Sequence, residues 1–280
     1  MNEDKLGSRL QIIQFLRENC PHVWAILNQQ AKQTPPEGLQ EFLSCKCGAE
    51  GRELLQLADK RLSSLIKSTP ERTVGDTYRR DISGVDTKNK VAELLCEITL
   101  VDALGGISNA PPVLRPKTET GKECDVKVVV ERSDLFGESK RLADTWEGGI
   151  RSIAKSPPES KPPDTDRPRA MDLFSKLKDV HEQFPQGTLN VLFLFHPSVW
   201  NTPVYIKQAL FGDASGFDDS SQPSLHDDGL YALNEWQEVS ACAYSRVNSD
   251  GTFSIVQIWK NPRANVVLPD TVAERLATAG

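Results

Sequence analysis

Asp125, Glu138 and Lys140 are the residues whose types and spacing could do chemistry together. In an extended strand, residues two apart point to the same face, so Glu138 and Lys140 would project side by side. If the preceding strand folds back as a hairpin, Asp125 arrives at the same edge. Two carboxylates converging there offer hard oxygen ligands for a divalent cation such as Mg²⁺ or Mn²⁺. Such a cation lowers the pKa of water and neutralises a phosphate. The adjacent lysine could orient the nucleophile or steady transition-state charge. Glu93, upstream on a helical pattern, supplies a third acid, and Glu97 stands one turn further on.

The bare acid-any-Lys pattern has no weight of its own. It also occurs at Glu3–Lys5, Asp86–Lys88, Asp125–Lys127 and Glu159–Lys161. What separates Glu138–Lys140 is context: it follows a strand opened by an acid, after a helix bearing an acid, with a helix and an apolar strand behind.

Those elements read as follows. Val91, Leu94, Leu95, Ile98, Val101 and Leu104 repeat at helical spacing, an amphipathic helix that Gly105-Gly106 should stop. Pro111–Pro116 could hold a short edge strand. Val126, Val128 and Val130 mark a strand, with a turn at Ser133-Asp134 and a second strand over Leu135–Lys140. A helix is expected over Leu142–Ile153, an extended proline-rich segment over Ser156–Arg169, and a helix over Met171–Phe184. Leu189–Phe195 is almost continuously apolar, the pattern of a strand buried on both faces. Val239–Val247 and Phe253–Trp259 form a hairpin, Asn261-Pro262-Arg263-Ala264 the turn after it, and Pro269–Ala277 a last helix.

Upstream, Leu10, Ile13, Leu16 and Cys20 give one helical stripe, and Leu54, Leu55, Ala58, Leu62, Leu65 and Ile66 a stronger one. Glu71–Asp86 has few large apolar residues and reads as a linker or surface excursion. The expected organisation is therefore a helical region and linker over residues 1–86, then an α/β domain over 87–280 ending in a hairpin and helix.

With these residues in place, the chain resembles the PD-(D/E)xK, or restriction-endonuclease-like, nuclease superfamily. The resemblance rests on Glu93-Leu94-Leu95 through Gly105, Gly121–Val128 and Gly137-Glu138-Ser139-Lys140-Arg141, within residues 88–196. It implies a core of helix, three strands, helix and strand, a mixed sheet flanked by helices. It implies a Mg²⁺-dependent phosphodiesterase acting on nucleic acid, DNA before RNA, by in-line attack of water on phosphorus. Asp125 and Glu138 would take the metal positions, Lys140 that of the catalytic lysine and Glu93 that of the helix acid, with Glu97 as the alternative. Cys124 stands where the family has proline, and Asp134 is a ligand in place of Asp125 if the strand register is shifted.

Charge speaks against a nuclease. The chain of 280 residues carries a net charge of −6, and no segment is a basic block of the kind that phosphate binding usually leaves. A non-catalytic module of the same fold, binding protein or nucleic acid, is the competing expectation. Cys20, His22, Cys45 and Cys47 could supply four zinc ligands, although their spacing is not a usual one. No membrane-length apolar run and no secretory leader are evident, so a cytoplasmic protein with reduced thiols is expected.

Overall fold

The structure is a computed structural model that describes residues 9–28, 35–46, 48–119, 121–142, 166–195, 204–212, 223–248 and 252–279. It is an α/β protein built on one six-stranded mixed sheet in the order β1 to β6. The strands are β1 (Val113–Leu114), β2 (Val126–Val130), β3 (Ser133–Arg141), β4 (Leu189–Phe195), β5 (Ala241–Val247) and β6 (Phe253–Lys260). Strands β1 to β3 are an antiparallel meander, β4 is parallel to β3 and to β5, and β6 closes the far edge antiparallel.

Strand β4 is central because its sequence allows it to be. All seven residues are buried, with Phe193 and Phe195 facing one apolar layer and Leu192 and Leu194 the other. The parallel β3–β4 pairing requires a crossover, and helix α7 (Asp166–Leu177) lies on that connection. Helix α7 packs with α8 (Val204–Phe211) on the face that carries Leu192, Leu194, Tyr244 and Trp259. The C-terminal helix α9 (Asp270–Ala277) packs on the opposite face.

That opposite face is covered mainly by α6 (Lys88–Ile107). The helix differs from the amphipathic expectation: Val91, Leu94, Leu95, Ile98, Thr99, Leu100, Val101 and Leu104 are buried around most of its circumference. It lies between the sheet and α4 (Gly48–Ser68), so it has apolar partners on two sides. It also runs through Gly105-Gly106 to Ile107, because burial against the sheet outweighs the roughly 1 kcal/mol a glycine costs in a helix.

The N-terminal region is helical as expected, with α1 (Arg9–Asn19), α2 (Pro21–Asn28), α3 (Glu37–Glu41) and a π-helical turn (Phe42–Lys46) ahead of α4. Its first stripe is Ile12, Leu16 and Cys20, while Leu10 is exposed. The expected linker Glu71–Asp86 is instead helix α5 (Glu71–Ser83). Three buried side chains one turn apart, Val74, Tyr78 and Ile82, suffice to seat it among the other helices, and a contiguous apolar core joins this region to the sheet.

The turn between β2 and β3 falls at Glu131-Arg132, two residues before the expected Ser133-Asp134. Both residues are left-handed, with φ of 50° and 71°, the backbone a tight two-residue hairpin needs. The turn after β6 is fixed by buried Asn261, whose side-chain amide donates to the carbonyls of Trp236 and Val239. Asp166–Arg169 is the start of α7 rather than extended chain. Beyond Leu142, the helix expected up to Ile153 lies outside the described residues, as do residues 156–165 of the proline-rich run. None of the described helices is long and apolar enough to cross a membrane.

Candidate active site

The β2–β3 register sets the site. Val126 pairs with Gly137, which places Asp125, just before β2, opposite Glu138. Gly137 keeps the strands and α6 close: a Cβ there would stand 3.0 Å from Leu104, 3.1 Å from Val126 and 3.3 Å from Phe193.

Asp125 and Glu138 are tied by crossed hydrogen bonds. The Asp125 N–H donates to Oε2 of Glu138 at 3.1 Å. The Ser139 N–H and hydroxyl donate to Oδ2 of Asp125 at 2.7 and 2.6 Å. Lys140 Nζ donates to Oε1 of Glu138 at 2.6 Å, so the two residues share a face as their spacing requires. Glu138 is 2 % exposed, and Lys140 is partly open.

Burial dominates the electrostatics. It pushes the Glu138 carboxyl up to about 8, helped by the neighbouring Asp125 charge and opposed by Lys140. Burial also raises Asp125, against the Ser139 hydrogen bonds and the Lys140 charge. Two carboxylates in one desolvated place resist ionising together.

The third acid at this centre comes from α6 and is Glu97. Burial and then the Asp125 charge push it up to about 7. Arg115 grips it through Nε and Nη2, both at 2.9 Å, and also pairs with Asp81 of α5. Glu93, the helix acid expected from the sequence, lines the same cleft, but its side chain is 61 % exposed and its contact is Arg141 at 3.9 Å. Asp134 stands at the other end of β3, paired with Lys127 at 2.7 Å, and does not line the cleft.

The cleft has a volume of about 550 Å³ and opens between α5, α6 and the ends of β2 and β3. Asp125, Glu138, Lys140, Glu93 and Glu97 all line it. Arg115 was not visible from sequence. It follows the two-residue strand β1 in irregular chain, at φ 45°, and its N–H donates to the Asp125 carbonyl at 3.0 Å. Arg115 thus adopts left-handed backbone while gripping two helices and the start of β2.

Asp125 and Glu138 suit a hard divalent cation. They are oxygen donors, both are pushed toward the neutral form, and a cation would relieve that penalty. Among the described residues, no three His, Cys, Asp or Glu side chains converge in one metal-holding group. Glu97 is drawn to Arg115 instead of completing such a set. Of the zinc candidates, Cys20 is a buried free thiol and His22 lines a second cleft beside Asp59. The Cys45 side chain and Cys47 lie outside the described residues.

Comparison of the chain with protein-family models, with curated proteins and with solved structures finds no match in any of the three.

Proposed function

We propose that this protein is a metal-dependent nuclease that hydrolyses phosphodiester bonds of nucleic acid, with DNA as the first substrate to try. The observation that carries the reading is the pairing of Asp125 with Glu138 across adjacent strands, with Lys140 on Glu138, inside an open cleft. The order helix α6, strands β1 to β3, helix α7 and strand β4 supports it, because a restriction-endonuclease-like core has that order.

Asp125 and Glu138 would hold Mg²⁺ or Mn²⁺. When bound, such an ion supplies the charge that neutralises the phosphate and acidifies water. Ser139 orients Asp125 through two donors to one oxygen, which leaves Oδ1 without a partner among the described residues. Lys140 carries its positive charge at Nζ and, on leaving Oε1 of Glu138, can orient water or steady the charge that develops on phosphorus. Arg115 fixes Glu97 on the α6 side of the cleft by gripping both of its carboxylate oxygens. Four free thiols among the described cysteines fit a reducing, cytoplasmic setting.

One observation favours a second reading. Glu138 and Glu97 are already paired with Lys140 and Arg115, an arrangement that is complete without a cation. A non-catalytic module that binds nucleic acid or protein through the same cleft would look like this. A cleavage assay separates the two: single- and double-stranded DNA and RNA, with Mg²⁺ or Mn²⁺, using wild type and Lys140→Ala. Metal-dependent cleavage lost in the variant supports the nuclease. Absence of cleavage on every substrate overturns it.

A further inference from the structure

Arg141 ends strand β3 and alternates with Lys140, so its side chain leaves the sheet on the α6 side. That side chain is only 4 % exposed, yet it lines the cleft. Its Nε is buried and, among the described residues, has no hydrogen-bond partner. Its Nη2 is 3.9 Å from Oε1 of Glu93, too far for a hydrogen bond. Guanidinium stays ionised in proteins, so a positive charge with idle donors is held inside the cleft.

The idle donors have a shape. Nε–H and the neighbouring Nη2–H lie along one edge of the guanidinium plane, the edge that grips an oxyanion with two parallel hydrogen bonds. The Glu93 carboxylate stands 3.9 Å from Nη2 without bonding to it and is mostly exposed, so it can move away. Arg80 of α5 also lines the cleft and, among the described residues, is exposed with no ion pair. Two guanidinium groups without a hydrogen-bonded partner thus flank the cleft that holds Asp125 and Glu138.

We propose that Arg141, with Arg80 at the rim, forms a phosphate-binding subsite in this cleft, and that Glu93 stands beside its Nη2 until a phosphate displaces it. The inference deepens the nuclease reading and rests on it for its biological meaning: the subsite takes a second phosphate of the substrate backbone, beside the one facing Asp125 and Glu138. It makes Arg141 a positioning residue and gives Glu93 a role as competitor for the phosphate rather than that of the helix acid.

The test reads the guanidinium directly. Inorganic phosphate is titrated into the ¹⁵N-labelled full chain in EDTA, and arginine Nε–Hε signals are followed by NMR. The Arg141 signal is identified by its loss in Arg141→Lys, and circular dichroism checks that the variant is folded. The proposal expects a saturable shift of that signal with phosphate, none with acetate at equal ionic strength, and tighter phosphate binding in Glu93→Gln by about threefold to tenfold. An Arg141 signal unmoved by phosphate overturns the proposal, and an equal shift with acetate overturns its assignment to phosphate. A phosphate shift in a protein that cleaves nothing supports the subsite while rejecting the nuclease. In a protein that does cleave, Arg141→Lys should raise KM for an oligonucleotide about tenfold with kcat little changed. A fall in kcat with KM unchanged contradicts a positioning role.

Discussion

The backbone N–H of Asp125 donates to the carboxylate of Glu138, and the residue after Glu138 donates back to Asp125. Each acid is therefore oriented by the other's strand. A slip of one residue in the β2–β3 register would break both bonds and turn one acid out of the cleft.

Glu138→Gln keeps the shape of this link and removes one charge. Mg²⁺ or Mn²⁺ should raise the melting temperature of the wild type and raise that of the variant far less, because a ligand bound only by the folded state stabilises by mass action. Equal metal-induced shifts in a thermal melt would remove Glu138 from the metal site.

The same residue sets a pH dependence. Its carboxyl is raised by burial to about 8, from an ordinary value near 4.5. Between those values the folded state holds a proton that the unfolded chain has lost. Its contribution to stability is full below about 4.5 and is lost as pH rises toward about 8, with a slope of up to about 1.4 kcal/mol per pH unit. Urea unfolding at pH 5, 6.5 and 8 should show this fall, and Glu138→Gln should flatten it. An unchanged profile in the variant would contradict the burial argument.

Tyr78 sits fully buried under α6, its hydroxyl without a partner among the described residues and its ring 5.5 Å from the Arg115 guanidinium. Tyr78→Phe keeps the ring and removes an unsatisfied polar group, so the protein should gain about 1 kcal/mol. A loss of similar size in chemical denaturation would mean that the hydroxyl has a hydrogen-bonded role.

Leu192 and Phe193 are both fully buried on opposite faces of β4. Leu192→Asp and Phe193→Asp should each cost on the order of 4 kcal/mol or more and leave little soluble protein, since each buries an unpaired charge. One soluble, stable variant of the two would mean that β4 has a wet face.

The sheet was legible because its signals were local. Alternating valines in β2, the unbroken apolar run of β4 and the two C-terminal strands each show their burial in their own residues. Helix α5 was not legible, because Val74, Tyr78 and Ile82 are a thin stripe in a polar segment and acquire meaning only against the other helices. The two-strand part of the site followed from spacing. The helix acid did not: Glu93 and Glu97 share a spacing class, and only tertiary placement puts Glu97 beside Asp125 and Glu93 at the mouth. Arg115 carried no pattern, since it lies in irregular chain, and Arg141 stood in the strand motif without a role of its own. What surrounds them in the fold sets their contacts.

The most direct measurement is the rate of phosphodiester cleavage by wild type and Asp125→Asn, purified in parallel, at saturating Mn²⁺ on one DNA substrate. Mn²⁺-dependent cleavage by the wild type is expected, with a loss of at least about a hundredfold in the variant, since that change removes a charge that would hold the metal while leaving an oxygen to accept from Ser139. Cleavage at equal rates by both proteins, or by neither, would contradict that expectation.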